Sequence, residues 1–209
     1  MDWQQALKKF WHFVWHEDSV ASWFVSIALA FVLIKFVLYP VLGLLLGAQF
    51  PVVAVVSDSM EHPGSFDDWW QEHEDLYLRF GITKDKFLAY PMKHGFNKGD
   101  IIFLIGIKPE KVQQGHIVVY WGGKIYPIIH RVVSVDHDEN GRFFQTKGDN
   151  NKGQIIEQGL DERYVPAYTS CEKGECPTVL GRAIFKVPYL GWVKILFVDL
   201  LNWIGIPAT

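Results

Sequence analysis

The chain has 209 residues, 49% of them hydrophobic and 21% charged. That balance excludes a long disordered acidic or basic protein and leaves room for one domain with an appendage, or two small ones. Twenty basic against 23 acidic side chains give a net charge of −3, so the excess of positive charge that broad nucleic-acid binding needs is missing. Two cysteines are too few for a disulfide scaffold or an all-cysteine zinc site, while 9 Trp and 15 Phe point to a chain that lies partly in or on a membrane.

Met1–Asp18 (MDWQQALKKFWHFVWHED) reads as an amphipathic, Trp-rich helix whose rings suit the headgroup zone. The apolar run Trp23–Leu46 follows. As a helix it would rise about 36 Å, enough to cross a hydrocarbon core with some tilt. Each Phe, Val, Ile or Leu favours insertion by roughly 0.3–0.6 kcal/mol, against about 3 kcal/mol for the single Lys35, so insertion wins. Lys35 is expected to snorkel or to pair within a complex, and Pro40 and Gly43 to kink the helix. A cleaved signal peptide is the rival reading, but the run is longer than an ordinary signal core. Lys8 and Lys9 precede the span and no Lys or Arg follows until Arg79, which favours a cytoplasmic N-terminus and an extracytoplasmic remainder.

From Pro51 the pattern turns to short β-type runs: Val52–Val56, Ile101–Ile107, Ile117–Trp121, Lys124–Val135, Arg142–Lys147 and Val179–Val187. Gly122–Gly123 and Asn140–Gly141 are hairpin signals, because both pairs tolerate positive φ. Glu61–Lys98 interrupts the strands with a polar, aromatic stretch, and its middle, Phe66–Phe80, is predicted as a surface helix. Trp69–Trp70 reads as a packing or membrane-contact element. Val187–Ile206 is a second apolar stretch carrying Lys194 and Asp199. It either spans the membrane or lies in the interface, and its two charges favour the interface. The expected architecture is mainly β: an amphipathic segment over 1–19, an anchor over 20–48, and a compact antiparallel domain over 50–187. A helical insertion occupies 61–98, and 188–209 forms a membrane-associated or spanning helix.

Three short elements could carry chemistry: Ser57-Asp58-Ser59-Met60, His130-Arg131 and Gly148-Asp149-Asn150. A serine needs a base within hydrogen-bond reach, and a histidine serves when a carboxylate fixes its tautomer and stabilises the imidazolium. The spacing alone does not separate this from a turn serine, a half-buried strand histidine and a turn-initiating Asp-Asn. His62, His73 and His94 show no metal-ligand spacing. Cys171 and Cys176 fit a loop-stapling disulfide outside the membrane.

The segments VVAVVSDSME, NKGDIIFL, IIHRVVSV, FFQTKGDNN and VLGRAIFKVPYLGWVKI, in this order after an N-terminal anchor, resemble signal peptidase I in its archaeal and endoplasmic-reticulum branch. The resemblance implies a membrane-bound serine endopeptidase that removes signal peptides from preproteins, without metal or organic cofactor. Ser59 matches the nucleophile and His130 the general base, where eubacterial members carry lysine. The Ser59 N–H and the Ser57 hydroxyl match the oxyanion donors. Met60 is expected to pack beneath the site, and Gly99-Asp100 and Gly148 to hold strand ends and turns.

Asp149 is the expected acid and Asp161 the runner-up, with Glu157 nearby. The aspartate that many relatives place six residues beyond Asp149 is here Ile155. The substrate is expected as an added strand beside Val52–Val56 or Pro127–Ile129, with Val55, Val56, Met60, Ile128 and Ile129 against it. Signal-peptide-bearing preproteins, the lipid bilayer and possible accessory membrane subunits are the implied partners, and nucleic acid is not. The insertion is longer than the family's usual link: a lid, a partner surface, a membrane-facing helix or a solvated excursion. Two rival functions stand beside this reading. One is an inactive, membrane-tethered β-domain that binds extracytoplasmic partners. The other is a self-cleaving regulatory protease, which would pair serine with lysine.

Overall fold

A computed structural model of the chain describes residues 2–121, 127–138, 141–155 and 178–203. It divides into two compact units, Met1–Leu45 and Leu46–Thr209.

In the first unit, α1 (Trp3–His16) starts where the Asp2 side chain accepts the Gln4 N–H. A short link leads to α2 (Val20–Leu33), capped by Ser19. Ser22 and Ser26 donate their hydroxyls back to the carbonyls of Phe13 (2.6 Å) and Val14 (3.2 Å) in α1. A π-helical turn, Ile34–Leu38, then joins α2 to α3 (Tyr39–Leu46). Pro40 explains the π turn. Its ring cannot sit against the carbonyl of Phe36 in a regular α-helix, and widening the preceding turn makes room. Val20–Leu46 is therefore one 27-residue helix, long and apolar enough to cross a membrane. The Lys35 ammonium lies 5.6 and 5.5 Å from the ring centroids of Phe31 and Phe36, so neighbouring rings on its own helix cradle it.

The second unit is built on a six-stranded antiparallel sheet in the order β1-β2-β6-β3-β4-β5. The strands are β1 (Val52–Ala54), β2 (Ile101–Ile105), β3 (Ile117–Trp121), β4 (Ile128–Asp138), β5 (Gly141–Lys147) and β6 (Thr178–Val187). Both predicted hairpins pair as antiparallel neighbours, with Tyr120 opposite Ile128 and Asp138 opposite Gly141; most of each turn itself lies outside the described residues. Alternation decides what β4 buries, since successive strand residues face opposite sides. Ile128 and Val132 pack with Val118, Tyr120 and Phe144. Ile129 joins Ala48, Val55, Met60, Ile102, Leu104 and Val119. Val133 has no opposite residue in the ladder, a bulge that leaves it packed with the aromatic residues of the insertion.

The insertion forms two helices, α4 (Phe66–Leu78) and α5 (Lys84–Leu88). Ser65 caps α4, and Asp67 and Asp68 lie in its first turn, where the helix dipole favours them. Phe66, Trp69, Trp70, His73 and Tyr77 recur at helical spacing and form one stripe. Trp69, Trp70 and Tyr77 are fully buried with Ile82, Phe87 and Val133. The insertion is thus a packed aromatic subdomain and not a solvated excursion. The Trp pair is a packing element.

Gly99-Asp100 is structural for a visible reason. Gly99 (φ +91°) lies against the Trp192 indole, where any Cβ would collide. The Asp100 carboxylate accepts the N–H groups of Asn97 (3.0 Å) and Tyr189 (3.2 Å), tying β2 to the start of α6 (Trp192–Trp203). α6 rises about 18 Å and exposes Val193, Leu196, Phe197, Leu200 and Trp203.

Candidate active site

Ser59 sits half-buried in the loop after β1. Its Oγ lies 3.3 Å from Ser57 Oγ. The loop is held from below by Met60, which is fully buried in the core, and from the side by the turn after β5. Asn150 donates its backbone N–H to the Ser59 carbonyl (2.8 Å) and its side-chain amide to the Asp58 carbonyl (3.1 Å). The Asp149 N–H points at Met60 Sδ (3.3 Å).

The same turn meets β4. A Cβ placed on Gly148 would stand 2.9 Å from His130 Nε2 and 2.6 Å from Asn151 Nδ2, so any larger residue would have to push the imidazole or the Asn151 amide aside. On the other ring nitrogen, Nδ1 lies 3.3 Å from the Tyr120 hydroxyl, which is 3.1 Å from Thr146 Oγ1. His130 is buried. The serine loop, the His130 strand and the Gly148-Asp149-Asn150 turn are thus brought together, and one turn touches both of the others.

The Asp149 side chain goes elsewhere. Alternation along β4 sends Arg131 away from the His130 face, and there it meets the carboxylate. Arg131 Nε donates to Asp149 Oδ1 (2.9 Å) and Nη2 to Oδ2 (2.7 Å), both side chains being fully buried. Tyr77 donates its hydroxyl to Oδ1 (2.7 Å), and His62 Nε2 lies 3.1 Å from Oδ2. The carboxylate's hydrogen bonds therefore run to Arg131, Tyr77 and His62 and not to the His130 ring, where a triad acid was expected. Burial alone would push this carboxyl up, but Arg131, helped by His62, holds it well below the ordinary carboxylate range. Burial pushes the Tyr77 phenol up, and the Asp149 charge adds to it. Glu157, Asp161, Cys171 and Cys176 lie outside the described residues.

The expected substrate-contact residues divide. Val55 and Met60 are core residues, too deep to form a wall for a peptide. Val56 is exposed, and Ile128 and Ile129 are half-buried. The sequence reading also missed His62, Tyr77 and Tyr120. A signal for part of this was present: Arg131 stands among apolar strand residues, and a buried guanidinium requires an anion and further acceptors.

His62 is one group through which pH acts on the stability of the second unit. Its ring stacks on Trp69 at 3.6 Å, and burial lowers its pKa against the opposing pull of Asp149. Arg131 and His73 also disfavour its charge. Its Nδ1 is buried without a hydrogen-bond partner among the described residues, so the neutral ring donates from Nε2 and a proton on Nδ1 would find no acceptor among them. Burial, with the Arg182 charge, lowers His116 likewise. Such a histidine takes up its proton more readily when unfolded. Its contribution is therefore complete above the ordinary imidazole value of about 6.5 and is lost as pH falls below it. The thermal midpoint of the second unit should drop between pH 7.5 and 5.5, and His62→Gln should flatten that slope. An unchanged midpoint over this interval would contradict the assignment.

No family model matches the chain. Among curated proteins, the signal peptidase complex catalytic subunit SEC11C of Homo sapiens is 37% identical over 114 residues, covering 54% of this chain and 55% of the relative. The chain thus spans about half the length of that relative. The signal peptidase complex catalytic subunit SEC11 of Lodderomyces elongisporus is 34% identical over 110 residues, 52% of this chain and 61% of the relative. The SEC11 subunit of Clavispora lusitaniae is 31% identical over 129 residues, 58% of this chain and 73% of the relative. With that share of a relative covered at that identity, the chain belongs to the SEC11 family of signal peptidase complex catalytic subunits.

Proposed function

We propose that this chain is a membrane-anchored serine endopeptidase that removes signal peptides from preproteins. One observation carries the reading: a single turn, Gly148 to Asn150, touches His130 Nε2 and bonds the Ser59 carbonyl. In this mechanism Ser59 Oγ attacks the scissile carbonyl, and His130 Nε2 takes its proton and returns it to the leaving amine. Water then attacks the acyl-enzyme by the same route. The Ser59 N–H and the Ser57 hydroxyl hold the oxyanion. For Nε2 to act as base, Nδ1 carries the ring proton and donates it to the Tyr120 oxygen. The Tyr120 hydroxyl then donates to Thr146 Oγ1. Asp149 acts at one remove, holding Arg131 and the Gly148 turn in place. The chemistry needs no metal or organic cofactor.

Two edges are open to a peptide among the described residues. Among the described residues β1 pairs only with β2, and Ile128 and Ile129 pair only with β3 because β5 ends opposite Arg131. An extended cleavage segment would add there through main-chain hydrogen bonds, against Val56, Ile128 and Ile129. Val20–Leu46 would anchor the enzyme, with Lys8 and Lys9 holding the N-terminus in the cytoplasm and the catalytic unit outside. The exposed apolar side of α6 suits the membrane interface. Because the relatives are named as subunits of a complex, accessory membrane subunits are proposed partners.

The test is cleavage of a preprotein by the full chain in detergent. A single cut is expected after a segment with alanine at the first and third positions before the bond. Tryptophan at the first position should stop it. Failure to cut the alanine substrate would overturn the reading. Within it, Gly148→Ala should lower kcat by about 10- to 100-fold, because the added methyl displaces the base or Asn151 by a sizeable fraction of an ångström. Unchanged single-turnover kinetics would show that the turn does not set the position of the base.

A further inference from the structure

We propose that the insertion 61–98 is a brace built into the catalytic machinery, and that His62 and Tyr77 are positioning residues acting through Asp149. This rests on the peptidase reading for its effect on rate, though not for its effect on the turn. Apart from Arg131, every hydrogen-bond partner of the Asp149 carboxylate among the described residues comes from the insertion: Tyr77 Oη and His62 Nε2. Arg131 is referenced to the same segment. Its Nη1 donates to the Pro91 carbonyl and its Nη2 to that of Met92, both at 3.1 Å. Its guanidinium also stands 4.7 Å from the Phe87 ring centroid. The buried Lys147 ammonium lies 4.8 Å from the Tyr77 ring centroid and donates to the carbonyls of Gly148 (2.9 Å) and Asp149 (3.1 Å). Side chain and carbonyls of the turn are thus both set against α4.

The brace also closes on the serine loop. His62 is three residues beyond Ser59, and its bond to Asp149 ties the loop to the turn. At the far end of the insertion, Phe96 donates its N–H to the Met60 carbonyl (3.0 Å). Gly95 (φ +59°) makes that closure possible, since a Cβ there would collide with the Met60 carbonyl and the His62 ring. The insertion therefore starts and ends on the residue after the nucleophile, and its middle grips the turn facing the base. A site assembled from three remote segments needs such cross-ties to hold its geometry.

His62→Phe keeps the stack on Trp69 and Tyr77→Phe keeps the ring, and each removes one donor to Asp149. Trp70→Leu is the control, loosening the same aromatic cluster without touching Asp149. Hydrogen exchange at the Asn150 amide, which bonds the Ser59 carbonyl, reads the turn directly. In the His62→Phe/Tyr77→Phe double variant it should quicken at least about tenfold more than in Trp70→Leu. Preprotein cleavage well below the melting temperature should show kcat down about 10- to 100-fold with KM within about twofold. His62→Gln, which restores a donor, should recover part of the rate. Unchanged exchange at Asn150 overturns the brace whatever happens to cleavage. Faster exchange with unchanged kcat, or a kcat loss matched by Trp70→Leu, overturns its role in the reaction. If the wild-type chain cuts no preprotein, faster exchange still upholds the brace as a support of the turn, and the peptidase reading alone falls.

Discussion

Ser59→Ala and His130→Ala are each expected to lower preprotein cleavage by about 10⁴-fold or more, the loss seen when a serine nucleophile or its base is removed. Ser59 makes its described tertiary contact through its backbone carbonyl, to Asn150, so losing the hydroxyl leaves the loop tied. The alanine variant should melt close to the wild type. His130 is buried beside Tyr120, so His130→Ala should also cost stability. His130→Gln, which keeps most of the volume, separates the two effects: it should restore the melting temperature and not the activity. Combining Ser59→Ala with His130→Gln should be no worse than either alone, because groups acting as a unit are non-additive. Steady-state cleavage at a temperature where all variants are folded provides the check.

The second large effect concerns stability. Arg131→Met should destabilise the second unit by about 3–5 kcal/mol, because it leaves the fully buried Asp149 carboxylate without its countercharge. In a unit of this size that corresponds to a fall in melting temperature of roughly 6–20 °C. Asp149→Asn should be comparably harmful, stranding the guanidinium instead. The double variant Arg131→Met/Asp149→Leu should recover part of the loss, since neither charge is then left alone. Recovery should be incomplete, because the Pro91 and Met92 carbonyls, His62 and Tyr77 also lose partners. Thermal unfolding of the full chain in detergent, followed by near-ultraviolet circular dichroism of the buried tryptophans, measures this. An Arg131→Met midpoint within about 2 °C of the wild type would mean the pair adds under 1 kcal/mol.

Much of the sheet was legible because strand patterning is local. Ile117–Trp121 forms the predicted strand, and glycine-rich turns flanked by β-branched runs yielded the antiparallel neighbours. The first strand is shorter than predicted. Beyond Ala54 the chain turns aside, with Val55 bonded through its N–H and carbonyl to Asp100 and Gly99, and Val56 left exposed. No local pattern announces such a departure.

The insertion was legible in part: the stripe from Phe66 to Tyr77 marks an amphipathic helix, but not its target. That target is a guanidinium and a bulged valine more than fifty residues further along the chain. The same limit governs Asp149. The sequence shows an aspartate in a turn and, elsewhere, two adjacent candidates for its attention, His130 and Arg131. Which of them it meets depends on the face from which the turn crosses β4. The turn presents Gly148 to the histidine and the carboxylate to the arginine, so the residue expected to serve the imidazole serves its neighbour instead.

A serine-directed acylating inhibitor puts the Ser59–His130 pairing to its most direct test, independently of substrate choice. After incubation with the full chain in detergent and proteolytic mapping, the added mass should sit on Ser59. It should disappear in Ser59→Ala and form at least about 10³-fold more slowly in His130→Gln. A chain that stays unlabelled, an adduct on another serine, or undiminished labelling without His130 would contradict the pairing.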